Sequence, residues 1–212
     1  MRMQAMGRIG TTTTALALVA LAIACASAFA GLGKNPANHR SLLDKPIEDY
    51  RYDGADHCTK RIPKGTRALA KWLGRHTSGE LWGITRCEKL SSDSHSLHSE
   101  NRAIDWHMDA RKAKQKKQAM RLIKDRLLAT DSNGNQTALA RRMGVQGIIF
   151  DCKSWWSNPG GLEKYSYCYK ANGKRRRNLD PTAAHIDHIH IELNKPGSRK
   201  KTSFWRSPLS RR

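Results

Sequence analysis

Acidic residues are scarce in this chain: 18 Asp and Glu stand against 39 Lys and Arg in 212 residues, a formal net charge of +21. So one-sided a balance excludes basic partners and points to polyanions: nucleic acid, acidic wall polymers such as teichoic acids, or anionic lipid headgroups. Aromatic residues make up only 7 %, and Cys occurs five times. The cysteines lie too far apart for a zinc knuckle. Neither an internal repeat nor a recognisable nuclease motif is present. Beyond residue 30 there is no long apolar run, so no bilayer span is expected there. The length suits one domain of ordinary size with room for a core.

The one long apolar run lies at the start. Arg2 and Arg8 precede "ALALVALAIACASAFA" (15–30), which ends in Ala28-Phe29-Ala30. This is the pattern of a secretory signal cut after Ala30. A membrane anchor and a lipid on Cys25 are the competing readings, but Ala22 sits where a lipoprotein box has a larger aliphatic residue. Loss of Arg2 and Arg8 leaves a net charge of +19 and four cysteines: Cys58, Cys87, Cys152 and Cys168. An even number in an oxidising compartment predicts two disulfides. Of three connectivities, Cys58–Cys87 with Cys152–Cys168 closes two local units. A secreted monomer, extracellular or periplasmic, is the expectation.

Residues 31–56 read as an irregular lead-in, 57–195 as the domain, and 196–212 as a basic, mobile tail carrying Phe204 and Trp205. Helices are predicted over 65–76, 110–130 and 136–143, the last stopped by Gly144. Strands are predicted over 79–90, 102–108, 145–156 and 185–193, with 162–170 as a hairpin partner. There is no βαβ rhythm. The class is α+β, a small antiparallel sheet with flanking helices.

Three of the nine histidines fall in "HIDHIHIE" (185–192). Side chains alternate along a strand, so His188 and His190 face the same way. His185 and Asp187 have the opposite parity, and His185 reaches that face only if the chain curves as it enters. A second cluster, "SHSLHSENRAIDWH" (94–107), holds His98 and Asp105. This segment does not look helical, so a turn at Glu100-Asn101 must bring the two together. His98, Asp105 and one strand histidine would make a two-His, one-carboxylate set. That set suits Zn2+ and leaves a coordination position open for water.

These residues carry a resemblance. "SLHSENRAIDW" (96–106) resembles the Ser-x-His-x-x-Gly-x-Ala-x-Asp signature of zinc D-alanyl-D-alanine carboxypeptidases, with Ser96, His98, Ala103 and Asp105 in register. Asn101 stands where Gly is usual, and Asn enters the φ > 0 region more readily than most residues. With "HIDHIH", the chain resembles the superfamily of VanX- and VanY-type peptidases, lysostaphin-type enzymes and the hedgehog-like fold, from about Cys58 to Leu193. "ALARRMGVQGIIFDCKSWW" and "DPTAAHIDHIHIEL" are similar to a group of secreted actinobacterial and fungal proteins. The resemblance implies zinc ligands His98, Asp105 and His190, with His188 stabilising charge in the transition state. It also implies His185 as general acid/base, with Asp187 orienting the site and Ser96 supporting it.

The implied reaction is hydrolysis of an amide bond in peptidoglycan stem peptides, by a carboxypeptidase or an endopeptidase. Arg86, Trp155 and Trp156 are candidate substrate contacts, with the Tyr165–Tyr169 group beside the cleft; a surface ion pair accounts better for Arg86, and ordinary packing accounts equally well for the aromatics. Two other readings compete. One is a secreted metal-dependent nuclease, which the charge would suit. The other is a non-catalytic zinc module that binds anionic wall polymers or nucleic acid. The basic helix at 111–126 and the tail are the expected wall-targeting surfaces.

Overall fold

The computed structural model describes residues 35–92 and 94–211. The predicted signal, its cleavage site and Cys25 lie outside the described residues. Among the described residues, no helix is long and apolar enough to cross a membrane.

The lead-in is irregular apart from one turn of 3-10 helix and α1 (Arg40–Leu43), yet Ala37 and Leu42 are fully buried. Next comes α2 (Lys64–His76), which turns Leu69, Trp72 and Leu73 into the core. Strands β1 (Glu80–Gly83), β2 (Lys89–Ser91), β3 (Ser94–His95) and β4 (Ala103–His107) follow. Helix α3 (Ala113–Leu122) runs on into a π turn, and α4 (Ala138–Met143) ends at Gly144, whose φ of 73° suits only a residue free to turn left-handed. The chain continues through β5 (Val145–Phe150), β6 (Lys153–Trp156), β7 (Glu163–Lys164) and β8 (His188–Leu193). It finishes with α5 (Lys195–Ser198), α6 (Ser203–Arg206) and a short 3-10 turn.

The fold is α+β. Six strands form one antiparallel sheet in the order β1-β4-β8-β5-β6-β7, and β2 and β3 form a separate hairpin. One face of the large sheet, with Ile104, Trp106, Ile148, Phe150, Ile189 and Ile191, packs under the helices to form the core. The other face is open and polar. The disulfides are Cys58–Cys87 and Cys152–Cys168, as the spacing predicted.

Three expectations need correction. Residues 79–90 are not one strand: β1 stops at Gly83, and the chain turns away before β2. Residues 145–156 are two strands, folded back at Asp151-Cys152, where both φ angles are positive (48° and 59°). A two-residue hairpin turn needs that conformation, but neither residue is the Asn or Gly that would announce it. Finally, the C-terminal segment is folded. Phe204 and Trp205 are buried, the Trp205 Nε1–H donates to the Met143 carbonyl at 2.8 Å, and Ser203 Oγ–H donates to Glu48 at 2.9 Å.

Candidate metal centre

Strand register builds most of the centre. β8 lies between β4 and β5, with Asp105 opposite His190, His107 opposite His188, and Gly147 opposite Glu192. Alternation sends Ile104, Trp106, Ile189 and Ile191 into the core. The same alternation presents Asp105, His107, His188, His190 and Glu192 on the open face.

His98 arrives from the turn between β3 and β4. Its N–H donates to Ser96 Oγ at 3.4 Å, and its carbonyl accepts from the Asn101 N–H at 3.0 Å. Asn101 has φ 55°, a left-handed conformation, and its side-chain amide donates to the Thr59 carbonyl at 2.8 Å. Behind the turn, the buried Arg102 guanidinium donates to Glu100 (2.7 Å), Leu193 (2.9 Å), Asp53 (2.9 Å) and Gly54 (2.7 Å). It ties the lead-in, the His98 turn and the end of β8 together.

His98 Nε2 stands 3.1 Å from Asp105 Oδ1 and 3.3 Å from His190 Nδ1, and His190 Nδ1 stands 3.0 Å from the same oxygen. Zinc bonds of 2.0–2.1 Å in tetrahedral array separate the ligand atoms by about 3.3 Å, so the three atoms are nearly in place for such an ion. The other ring nitrogens are occupied: His98 Nδ1–H donates to the Ile84 carbonyl at 2.8 Å, and His190 Nε2–H donates to Glu192 Oε1 at 3.0 Å. Two lone pairs and a carboxylate oxygen therefore converge, an arrangement that repels itself unless a cation or a proton lies among them. These three residues could hold a metal ion.

The electrostatics follow from that crowding. Burial works against the Asp105 charge, but hydrogen bonds from His188, His190 and His98 overcome it and hold the carboxyl far below its ordinary range. Burial likewise opposes charge on His190, yet hydrogen bonds to Asp105 and Glu192 raise it to about 9. Asp187 is held low against burial by hydrogen bonds from His188 and Thr182.

The two remaining histidines flank the set. His188 Nδ1–H donates to Asp187 Oδ1 at 2.8 Å, Thr182 Oγ–H donates to Asp187 Oδ2 at 2.8 Å, and His188 Nε2 lies 3.4 Å from Asp105 Oδ1. His185 has φ 52°, which curves the chain onto the open face. The Asp151 and Cys152 N–H groups donate to the His185 and Ala184 carbonyls at 2.7 and 3.2 Å, so the β5–β6 turn holds that curve. The His185 ring is 4.8 Å from His188 and 5.4 Å from His190, and its buried Nδ1 has no hydrogen-bond partner among the described residues. Burial, then the neighbouring His190 and His188, push it down to about 3.

A cavity of about 490 Å3 opens over this group. Arg86 borders it, paired with Glu88 at 2.9 Å and 3.6 Å from Asp105 Oδ2. Trp156 lines it, but Trp155 does not: its side chain is in the core and donates to the Asn158 carbonyl at 3.0 Å. Tyr52, Leu90 and Tyr165 also line the cavity, and exposed Trp82 stacks on His107 at 4.1 Å and lies 6.0 Å from His188. Tyr165 was expected beside the cleft; Tyr52, Leu90 and Trp82 were not anticipated, nor were Glu192, Thr182 and Arg102. Glu192 alone carried a signal, since it shares strand parity with His188 and His190. Compared with known proteins, the chain matches no family model, no curated protein and no solved structure.

Proposed function

We propose that the chain is a secreted zinc-dependent peptidase that hydrolyses an amide bond in peptidoglycan stem peptides. The observation that carries this reading is the convergence of His98, Asp105 and His190 beside two further histidines that are not needed to hold an ion. The resemblance of these same positions to the zinc carboxypeptidase signature favours an amide over a phosphodiester. Two disulfides favour an oxidising compartment.

Zn2+ held by His98, Asp105 and His190 would supply Lewis-acid polarisation of the scissile carbonyl and a more acidic water. Burial keeps His185 neutral, and its ring lines the same cavity. It accepts the water proton and delivers it to the leaving amine. His188, its Nδ1–H held by Asp187, is oriented toward the site of the developing oxyanion, where it would stabilise the charge. Tyr52, Leu90 and Trp156 offer an apolar rim to the substrate chain.

The test incubates the zinc-loaded protein with peptidoglycan of several wall chemotypes and identifies released fragments by mass spectrometry. Chelator-sensitive products with a new peptide terminus, lost in His185→Ala, are the expected result. Zinc bound in stoichiometric amount with no product from any chemotype would overturn the peptidase. Cleavage of DNA or RNA that is lost in His98→Ala would replace it with the nuclease.

A further inference from the structure

Two neighbouring cavities lie outside the metal centre, and both are lined by cations. The first, about 510 Å3, takes Arg61, Lys64, Lys195 and Arg199; the second, about 290 Å3, takes Lys64, Arg67, Lys71, Arg75 and Lys200. Lys64 belongs to both, and neither shares a lining residue with the cavity over the histidines.

Lys64, Arg67, Lys71 and Arg75 recur every three or four residues along α2, so they form one row on its exposed side. At 1.5 Å per residue the row is about 16 Å long. The second set comes from α5 and the turn after it. The two are joined backbone to backbone, because a Cβ on Gly65 would overlap the Gly197 carbonyl oxygen. Both sets of charges therefore stand on a fixed base.

The 111–126 helix is compensated in part, and Lys170, Lys174, Arg175, Arg176 and Arg177 line a separate basic cavity of about 580 Å3. On the 111–126 helix Arg111 pairs with Asp109 at 2.9 Å, Lys116 pairs with Asp151 at 2.7 Å, and Arg126 is buried. By contrast, among the described residues Arg61, Lys64, Arg67, Lys71, Lys195, Arg199 and Lys200 make no ion pair. Among the described residues the one carboxylate lining the two cavities, Glu100, is taken by Arg102 at 2.7 Å. Asp56 and His57 stand close enough to Glu100 to hold a cation, but Arg102 occupies that carboxylate and Lys195 adds like charge nearby. The net preference is for an anion.

Lys64, Arg67 and Lys71, set in a row without ion pairs, repel one another, and a linear polyanion relieves them together where a single ion relieves one or two. Among the described residues, no aromatic side chain other than His57 lines either cavity, so they offer no stacking platform of the kind used to hold single-stranded bases. We propose that the face formed by α2 and residues 195–200 binds a linear polyol-phosphate polymer of the teichoic acid type, through its phosphates. The proposal is independent of the metal centre.

The test measures binding of the full chain, disulfides intact, to poly(glycerol phosphate) across a salt series. The variant Lys64→Ala/Arg67→Ala/Lys71→Ala is compared with Lys112→Ala/Lys114→Ala/Lys117→Ala, which removes equal charge from exposed positions of the other basic helix. The first triple should weaken binding at least about 30-fold and lower the salt slope by about three, and the second should weaken it less than about threefold. Matched unfolding curves and zinc contents establish that both variants fold. Equal losses in the two triples, or no polymer binding by the parent chain, overturn the proposal. An oligonucleotide bound as tightly as the polymer and equally dependent on Lys64, Arg67 and Lys71 assigns the face to nucleic acid instead.

Discussion

His190 faces a conflict that the other histidines do not. Its hydrogen bonds to Asp105 and Glu192 favour a protonated ring, whereas serving as a ligand requires the Nδ1 lone pair. Glu192 helps in both states, because it fixes the ring so that Nδ1 faces Asp105. Removing a ligand and removing its support should therefore differ. His98→Ala and His190→Ala should abolish stoichiometric zinc binding, while Glu192→Gln should retain it with affinity about 10- to 100-fold weaker. His185→Ala and His188→Ala should keep zinc and lose turnover by about 10^2 to 10^4. Competition with a chromophoric chelator reads the first quantity; loss of zinc in His188→Ala would make that residue a ligand. Much of this site is legible in the sequence, since strand parity puts His188 and His190 on one face and the signature spacing brings in His98 and Asp105. Which of the adjacent tryptophans meets the cavity is not legible. With 145–156 read as one strand, nothing distinguished Trp155 from Trp156; the reversal at Asp151-Cys152 decides it by setting β6 against Gly147.

Each disulfide braces a different wall of the cavity. Around Cys58–Cys87, the Thr59 N–H donates to the Ser99 carbonyl at 2.8 Å and the Glu88 N–H donates to Ser99 Oγ at 2.9 Å, which secures the His98 turn. Cys152–Cys168 lies instead in a small apolar cluster with Ala184, directly behind His185. Breaking the two bridges should consequently produce different defects. Cys152→Ser/Cys168→Ser should cost about 3 kcal/mol of stability, the loop-closure value for a ring of that size. It should leave zinc affinity within about threefold and lower activity much more, because the released segment carries the proton-transfer group but no ligand. Cys58→Ser/Cys87→Ser should lower zinc affinity itself. Denaturant titration and zinc competition on the two double variants separate the outcomes; equal loss of zinc in both would place His185 among the ligands. Local chemistry explains why some elements were hidden. The β5–β6 turn lacks the Asn-Gly or Asp-Gly signal, and the left-handed Cys152 is held by a bond that periodicity does not display.

At the scale of the whole molecule, the two ends of the described chain close over the same side of the core. Arg142, fully buried, donates to the carbonyls of Lys45 and Pro46 at 3.3 Å each, and Trp205 seals α4. Charge composition concealed this, because Phe204 and Trp205 sit in a segment whose other residues look solvated. What the fold has closed in, pH can open. In zinc-free protein, Asp105 and Asp187 contribute stability that is present above their ordinary value of 3.8 and lost below it. His185 and His76, which burial keeps neutral, lose stability as pH falls below 6.5, for His185 down to about 3. His190 has the opposite sign: its contribution is full below 6.5 and is lost as pH rises through about 9. Zinc-free protein should thus weaken on both the acid and the alkaline side. Zinc must displace the His190 proton, so its apparent affinity should rise about tenfold per pH unit from 6.5 to 8.5 and level off beyond about 9. Calorimetry at pH 7 in buffers of different ionisation enthalpy should show about one proton released from this ring per zinc bound. An affinity flat with pH over that range, or no proton released, would mean that His190 is already neutral, and the opposition between Asp105 and Glu192 across its ring would need another explanation.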